Sequence, residues 1–388
     1  MGAPELTSSR PVQRVAARRG RFRRLSLGGQ WKFCQVGARR GQLEARRGKP
    51  ATVPGSVHAD LLSLGAIEDP FFRENEKDLQ WIGEADWRYW RDFRVTASLL
   101  ESDRVLLRCH GLDTLATVRI NGKLVARTDN MHRTWEFDVR QKLAVGKNRI
   151  EVCFASAVRE VRKRQKADRL PGWFQMQCLE GASWLRKEPC NFGWDWGPGL
   201  VTCGIWREIE LVAFDTARRA DVQIQQDHSR AGEVAVEVRL RTDRTETAKR
   251  SKLTAVVTLL DGEEAVAGGR LQLRRDAGST TLRVQAPKLW WPNGMGEQAL
   301  YTLRVELCDE TGEAIDAWTR RIGLRTLELL REPDAGGESF GFAVNGVPFF
   351  AKGANWIPAD AILARLEADD YRRLLGDAAS VHMNMLRV

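Results

Sequence analysis

Apolar and polar residues alternate with a period of two along most of this chain, in short runs separated by polar, glycine-containing turns. From Trp31 to about Phe214 the runs recur at spacings typical of an all-β sandwich. RVLLRCH (104–110) is a dense apolar run, and NRIEVCFA (148–155) puts Ile150, Val152 and Phe154 on one face. ATVRINGKLVA (116–126) reads as a hairpin whose Asn121-Gly122 supplies the positive φ of a type I′ turn. IWREIEL (205–211) reads as the closing strand. From about Asp215 to Arg325, EVAVEVRL (233–240), LTAVVTLLDG (253–262), TLRVQA (281–286) and YTLRVEL (301–307) alternate more strictly. They predict a half-buried antiparallel sandwich of immunoglobulin-like size.

After about Thr326 the texture changes again. GFAVNGVPFFAKGANW (341–356) reads as a hairpin followed by a strand. A helix is expected over Ala368–Ser380, with Leu374, Leu375 and Ala378 at helical spacing and Asp369 and Asp370 near its start. MNMLRV then opens another strand. Strand, helix, strand implies a parallel βαβ unit. The domain reading is a basic, disordered tail over 1–25, a β domain over 26–214, a sandwich over 215–325 and the start of an α/β region over 326–388.

Composition adds limits to this outline. A hydrophobic content of 43% with 29% charged residues is an ordinary globular balance. There is no run of about 18 apolar residues, so no membrane span is expected. The N-terminus has basic residues but no secretory apolar core, and a cytoplasmic location is the expectation. Seven cysteines (34, 109, 153, 178, 190, 203 and 308) form no CxxC pair, and Cys178, Cys190 and Cys203 have no histidine nearby in sequence, which reads as free thiols without a metal or disulfide framework. The net charge of +10 comes largely from Arg10–Arg24, Arg39–Lys49 and Arg159–Arg169. No aromatic interleaving or nucleic-acid motif accompanies it, so a basic surface and tail is preferred to a nucleic-acid footprint.

The most informative stretch is NFGWDWGPG (191–199), which sets two indoles around a carboxylate in a glycine-rich turn. Turns favour small polar residues, so two tryptophans there call for a reason. A pyranose presents an apolar C–H face that packs on indole, while its hydroxyls seek charged acceptors. Gly193 and Gly197 permit positive φ, and Pro198 stiffens the exit.

Read together, VPGSVHADLLSLGAIEDPFF (53–72), ENEKDLQWIGEADWRYWRDF (74–93), NFGWDWGP (191–198), GIWREIEL (204–211) and FAVNGVPFFAKGANWIPAD (342–360) resemble the N-terminal part of the β-mannosidases of glycoside hydrolase family 2. The resemblance implies a mainly β, multidomain chain: a jelly-roll sugar-binding-like domain, an immunoglobulin-like β-sandwich, then the first βαβ portion of a TIM barrel. It implies release of terminal β-mannose from the non-reducing end of oligosaccharides, by a retaining mechanism with no cofactor or metal. The partner implied is a β-mannoside oligosaccharide; oligomeric state is left open.

By the same resemblance Asp195 would accept hydrogen bonds from the sugar, and Trp194 and Trp196 would wall its pocket. Trp356, after the first barrel strand, and Arg387, at the end of the second, would line the other side; Asn355 and Asn384 are weaker candidates. Retaining hydrolysis uses two carboxyl groups about 5–5.5 Å apart. In the family both are glutamates on later barrel strands, and about 60 residues here face the roughly 250 of a whole barrel. Asp195, Glu180 and Glu188 match no catalytic position, and N-capping accounts for Asp360, Asp369 and Asp370. No catalytic residue is therefore assigned, and this chain by itself is expected not to hydrolyse glycosides. The alternatives are a carbohydrate-binding fragment without catalysis, or another family 2 activity (β-galactosidase, β-glucuronidase or exo-glucosaminidase).

Overall fold

The computed structural model describes residues 22–37, 48–170 and 179–388. The expected tail up to residue 21, nearly all of the Arg39–Lys49 group, and Cys178 lie outside the described residues. The end of the expected tail is not a tail: Arg23–Ser26 is a strand. The chain divides into two compact units. One comprises 23–215, 288–299 and 325–388, and the other 216–287 and 300–324.

The first unit is built on two antiparallel sheets. One runs in the order β3 (Lys49–Val53), β2 (Gly29–Gln35), β4 (Trp87–Val95), β9 (Gly146–Phe154), β6 (Ala116–Ile120), β7 (Lys123–Thr128). The other runs β1 (Arg23–Ser26), β10 (Ile209–Phe214), β5 (Arg104–Cys109), β8 (Trp135–Asp138). Their alternating apolar residues meet in one core, in which Phe33 stacks on Trp87 at 5.8 Å and on Tyr89 at 5.5 Å. Asn121 and Gly122 take φ of 50° and 78°, as the β6–β7 hairpin requires. The expected strand at 205–211 is displaced to 209–214. Residues 203–205 instead receive the start of a helix, with Val57 N–H donating to the Cys203 carbonyl and Gly55 N–H to that of Ile205.

Among the described residues five helices accompany these sheets: α1 (Val57–Ser63), α2 (Asn75–Asp78), α3 (Trp81–Glu84), α4 (Ala97–Leu100) and α5 (Ala157–Ala167). Helix α5 buries Ala157, Val158 and Val161 and turns its cations outward, where Arg162 meets Glu84 at 2.6 Å and Arg164 meets Glu160 at 2.7 Å. The basic run Arg159–Arg169 is thus largely the solvent face of an amphipathic helix.

The second unit is the sandwich. A three-stranded sheet, β11 (Ala217–Asp227), β12 (Glu233–Arg244), β15 (Ala277–Gln285), accompanies a four-stranded sheet in the order β14 (Glu264–Gln272), β13 (Thr254–Asp261), β16 (Tyr301–Cys308), β17 (Ala314–Ile322). Val234, Val236, Val238 and Leu240 point inward from β12, and Ala255, Val257 and Leu259 from β13.

The last stretch belongs to the first unit. Strand β18 (Leu327–Leu330) leads past a small hairpin, β19 (Pro333–Asp334) with β20 (Gly337–Glu338), to a second hairpin, β21 (Gly341–Val344) with β22 (Val347–Phe349). Then β23 (Gly353–Asn355), α6 (Ala368–Ser380) and β24 (Met385–Arg387) form the expected parallel unit, with Asn355 opposite Arg387. Asn293 fastens its far side by donating to the carbonyls of Ala379 and Met383, each at 3.0 Å.

Helix α1 carries two buried titratable groups, His58 and Asp60. Burial raises the Asp60 carboxyl to about 6, against the pull of the Tyr89 hydroxyl and the Thr52 N–H that it accepts from. Folding therefore holds a proton that an unfolded aspartate, near about 3.9, releases; this contribution is full below about pH 4 and is lost as pH rises through 6. His58 acts oppositely. Burial, then the Lys187 charge, lowers it to about 3, so its contribution is full above about pH 6.5 and fades as pH falls toward 3. Asp60→Asn keeps both hydrogen bonds, because the tyrosine hydroxyl also accepts. Denaturant titrations from pH 4 to 7 are expected to show the variant's stability climbing more steeply than the parent's, by about 3 kcal/mol across the window. Parallel curves would mean that Asp60 does not titrate there.

Candidate functional site

The segment 191–199 is anchored by Phe192, which is fully buried with Val158 and Val161 of α5, Leu185 and Val201. Gly193 follows at φ 95°, a conformation that favours glycine. Gly197 does not need this freedom: it is not at positive φ, and the expectation for it was wrong. It closes a tight turn instead, its N–H donating to the Trp194 carbonyl at 3.4 Å while the Trp194 N–H donates back at 3.2 Å. Asp195 and Trp196 therefore occupy the tip. Trp194 is half-buried and Trp196 is 41% exposed, with ring centroids 6.1 Å apart and planes tilted by 36°. The Asp195 carboxylate is exposed, and among the described residues nothing donates to it.

Both ends of the segment are fastened. At the far end Gly199 is held by its N–H donating to Glu76 Oε2 at 2.9 Å and by its carbonyl accepting from Gln80 Nε2 at 2.7 Å. At the near end Asn191 lies 3.0 Å from the Thr202 hydroxyl, which donates to Asp113 Oδ2 at 2.7 Å. Asp113 in turn takes Lys187 Nζ on both oxygens, each at 2.7 Å, and the lysine also donates to Thr202 at 3.1 Å. Lys187 and Asp113 are each only 2% exposed. Near them Glu188 is half-buried, and burial raises its carboxyl above the usual range. Sequence patterns missed this support. Glu76 and Gln80 lie in a stretch that had drawn notice, but nothing in the periodicity marks a single lysine as buried.

Trp356 and Arg387 meet across the parallel pair. The Trp356 N–H donates to the Arg387 carbonyl at 2.7 Å, and the Arg387 guanidinium reaches Asn355 Oδ1 at 3.3 Å. The Trp356 ring stacks on Tyr371 of α6 at 6.2 Å and 16°, so packing occupies one of its faces. Asn384 ties the entry of both strands, accepting from the Lys352 N–H and donating to the Phe350 carbonyl. Among the described residues no hydrogen bond, ion pair or ring contact joins Trp194–Trp196 directly to Trp356 or Arg387. The two groups are linked through neighbours: Asn191 Nδ2 donates to the Ala361 carbonyl at 3.4 Å, and Arg365 lies over the Phe71 ring at 5.1 Å.

The acidic residues nearby have structural partners. Asp360 accepts from the Ile362 N–H and pairs with Arg365, and Glu180 pairs with Arg169. The N-cap of α6 is Glu367, with Asp370 closing the capping box from its third position, so neither Asp369 nor Asp370 is the cap. None of the six described cysteines forms a disulfide. Among the described residues no group of three or more His, Cys, Asp or Glu is placed to hold a metal, and no helix is long and apolar enough to cross a membrane.

Two packed antiparallel sheets, an immunoglobulin-like sandwich and a parallel βαβ unit define a mainly β, multidomain chain. Residues 31–207 match the galactose-binding-like domain of glycosyl hydrolase family 2, and residues 215–325 match the Glycosyl hydrolases family 2 domain. The chain belongs to glycoside hydrolase family 2. It is similar to β-mannosidase B of Emericella nidulans, 34% identical over 342 residues that make up 87% of this chain and 40% of the relative. It is also similar to the crystal structure of a β-D-mannosidase from Dictyoglomus thermophilum, with 37% identity and a TM-score of 0.85 over 94% of this chain and 44% of that one. An exo-chitosanase from Amycolatopsis orientalis, at 20% identity and a TM-score of 0.69 over 94% of this chain and 40% of that one, shares the fold. The chain spans about 40% of the length of the curated relatives it matches.

The buried ion pair generates a stability prediction. Lys187→Met strands the Asp113 charge and is expected to cost about 3–5 kcal/mol in denaturant unfolding. Lys147→Met, which removes an exposed partner 3.4 Å from Asp92, is expected to cost at most about 1 kcal/mol. Equal losses would contradict the burial argument.

Proposed function

We propose that the turn at Trp194–Gly197 binds the terminal, non-reducing β-D-mannose of an oligosaccharide, as one wall of the pocket of a β-mannosidase-type glycoside hydrolase. The observation that carries this reading is Asp195: an exposed carboxylate with no donor among the described residues, beside two indoles 6.1 Å apart. A sugar satisfies both halves of the arrangement, hydroxyls on the acceptor and a C–H face on a ring. The β-mannosidases among the relatives and solved structures support mannose over other sugars.

In this reading β23, α6 and β24 are the opening repeat of a catalytic (β/α)₈ barrel, with Trp356 and Arg387 at the C-terminal ends of its strands, where barrel active sites are built. Several apolar residues of this stretch are exposed, among them Phe340, Phe350 and Val381, and further barrel repeats would cover them. The chemistry proposed for the whole enzyme is retaining hydrolysis by two glutamates supplied by later strands, without a metal or cofactor.

Calorimetric titration of the 388-residue chain with methyl β-D-mannoside is expected to show binding that Asp195→Ala weakens about 10- to 100-fold, the range for losing charge-assisted hydrogen bonds. A chromogenic β-mannoside is expected to bind without being cleaved. Equal affinity for methyl β-D-galactoside would move the assignment to another family 2 activity. Mannoside affinity unchanged in Asp195→Ala would remove the turn from the site.

A further inference from the structure

The Trp-Asp-Trp turn is closed by just two backbone hydrogen bonds, so its aim has to be fixed from beneath. The groups beneath it form one line. Lys187 and Asp113 make a buried ion pair, Thr202 sits on that pair, Asn191 sits on Thr202, and Asn191 reaches across to the Ala361 carbonyl. A hydroxyl has one proton, yet Thr202 Oγ1 faces two acceptors, Asp113 Oδ2 at 2.7 Å and Asn191 Oδ1 at 3.0 Å. The Lys187 ammonium donates into a lone pair of the same oxygen, and with the proton turned to Asn191 Oδ1 the donors run in one direction, Lys187 to Thr202 to Asn191 to the Ala361 carbonyl. Thr202 is 7% exposed and Asn191 1%, so water has little access to replace either bond.

We infer that Thr202 and Asn191 are positioning residues of the sugar pocket: the ion pair fixes the Thr202 hydroxyl, the hydroxyl fixes the Asn191 amide, and the amide sets the angle at which Trp194, Asp195 and Trp196 are presented. The same amide ties the turn to Ala361, five residues beyond Trp356, so one side chain registers the β-domain wall against the segment that follows β23. The positioning rests on geometry alone. Its effect on ligand affinity rests also on the mannose-binding reading.

The test uses three variants and two readouts. The indoles of Trp194 and Trp196 are close enough for an exciton couplet in circular dichroism, identified by its loss in Trp196→Phe. Thr202→Val removes the hydroxyl at nearly constant volume. It is expected to alter that couplet and to weaken methyl β-D-mannoside binding about tenfold, the effect of one buried hydrogen bond. Thr202→Ser restores the hydroxyl and is expected to restore both readouts. Asn191→Ala cuts the line one step nearer the turn, away from the buried charges, and is expected to change the couplet as Thr202→Val does. A native couplet and native affinity in Thr202→Val, or in Asn191→Ala should the valine variant fail to fold, overturns the proposal whatever the unfolding temperature. So does a serine variant as impaired as the valine variant. If the unaltered chain binds no mannoside, the functional reading fails while the couplets still decide the positioning.

Discussion

The ion pair between Lys187 and Asp113 is the constraint on which the candidate site depends. Two charges withdrawn from water carry a large desolvation cost, offset only when the geometry is good and the remaining polar atoms are satisfied. Here both carboxylate oxygens take the ammonium at 2.7 Å, and the hydroxyls of Thr202 and Thr114 lie on the same carboxylate. Such a pair tolerates little displacement, because separating the charges in a medium of low dielectric is costly. It therefore pins a loop that lies outside both sheets and packs on α5. The residue after Lys187 begins the run into the aromatic turn, and Asp113 ties back to Gly204 by two backbone hydrogen bonds. The cost reaches His58, which is kept neutral by burial and by the lysine's charge.

From that fixed point the chain builds outward in two directions. One leads up through Asn191 to a turn whose tip shows a carboxylate and an indole to solvent. The other leads across to Ala361 and the segment after β23, which Arg365 also fastens over Phe71. Glu76 and Gln80 close the far end at Gly199. Three stretches far apart in sequence, 69–80, 191–202 and 360–365, thus hold one another in a ring of polar and cation–π contacts. This explains why the jelly-roll region and the parallel βαβ unit form one compact unit although the sandwich lies between them in sequence.

Sequence patterns revealed most of the fold where one strand face is buried and the other wet. β12, β13 and β16 alternate strictly, and α6 begins and ends where its helical spacing does. Strands β14 and β17 were not legible. Both lie at sheet edges and are mostly exposed, and β14 carries Gly268 and Gly269, so neither shows the alternation that burial imposes. The closing strand was misplaced because Ile205 is buried as fully as Ile209, though its backbone serves the entry to α1. At the candidate site, the turn carrying Asp195 stood out because two indoles are unusual where turns favour small polar residues. Lys187, Asp113 and Thr202 were not, since a buried polar residue is recognised by its partners, and these come from distant positions.

The central claim is that the turn at Trp194–Gly197 meets the sugar. Hydrogen–deuterium exchange with and without methyl β-D-mannoside tests it most directly. The amides of Trp194 and Gly197 bond each other's residue across the turn, so a ligand seated on its tip should stop that bridge from opening. Slower exchange is predicted within 191–199, with the sandwich strands β11, β12 and β15 unchanged. Protection confined to the sandwich, with none in the turn, would contradict the account.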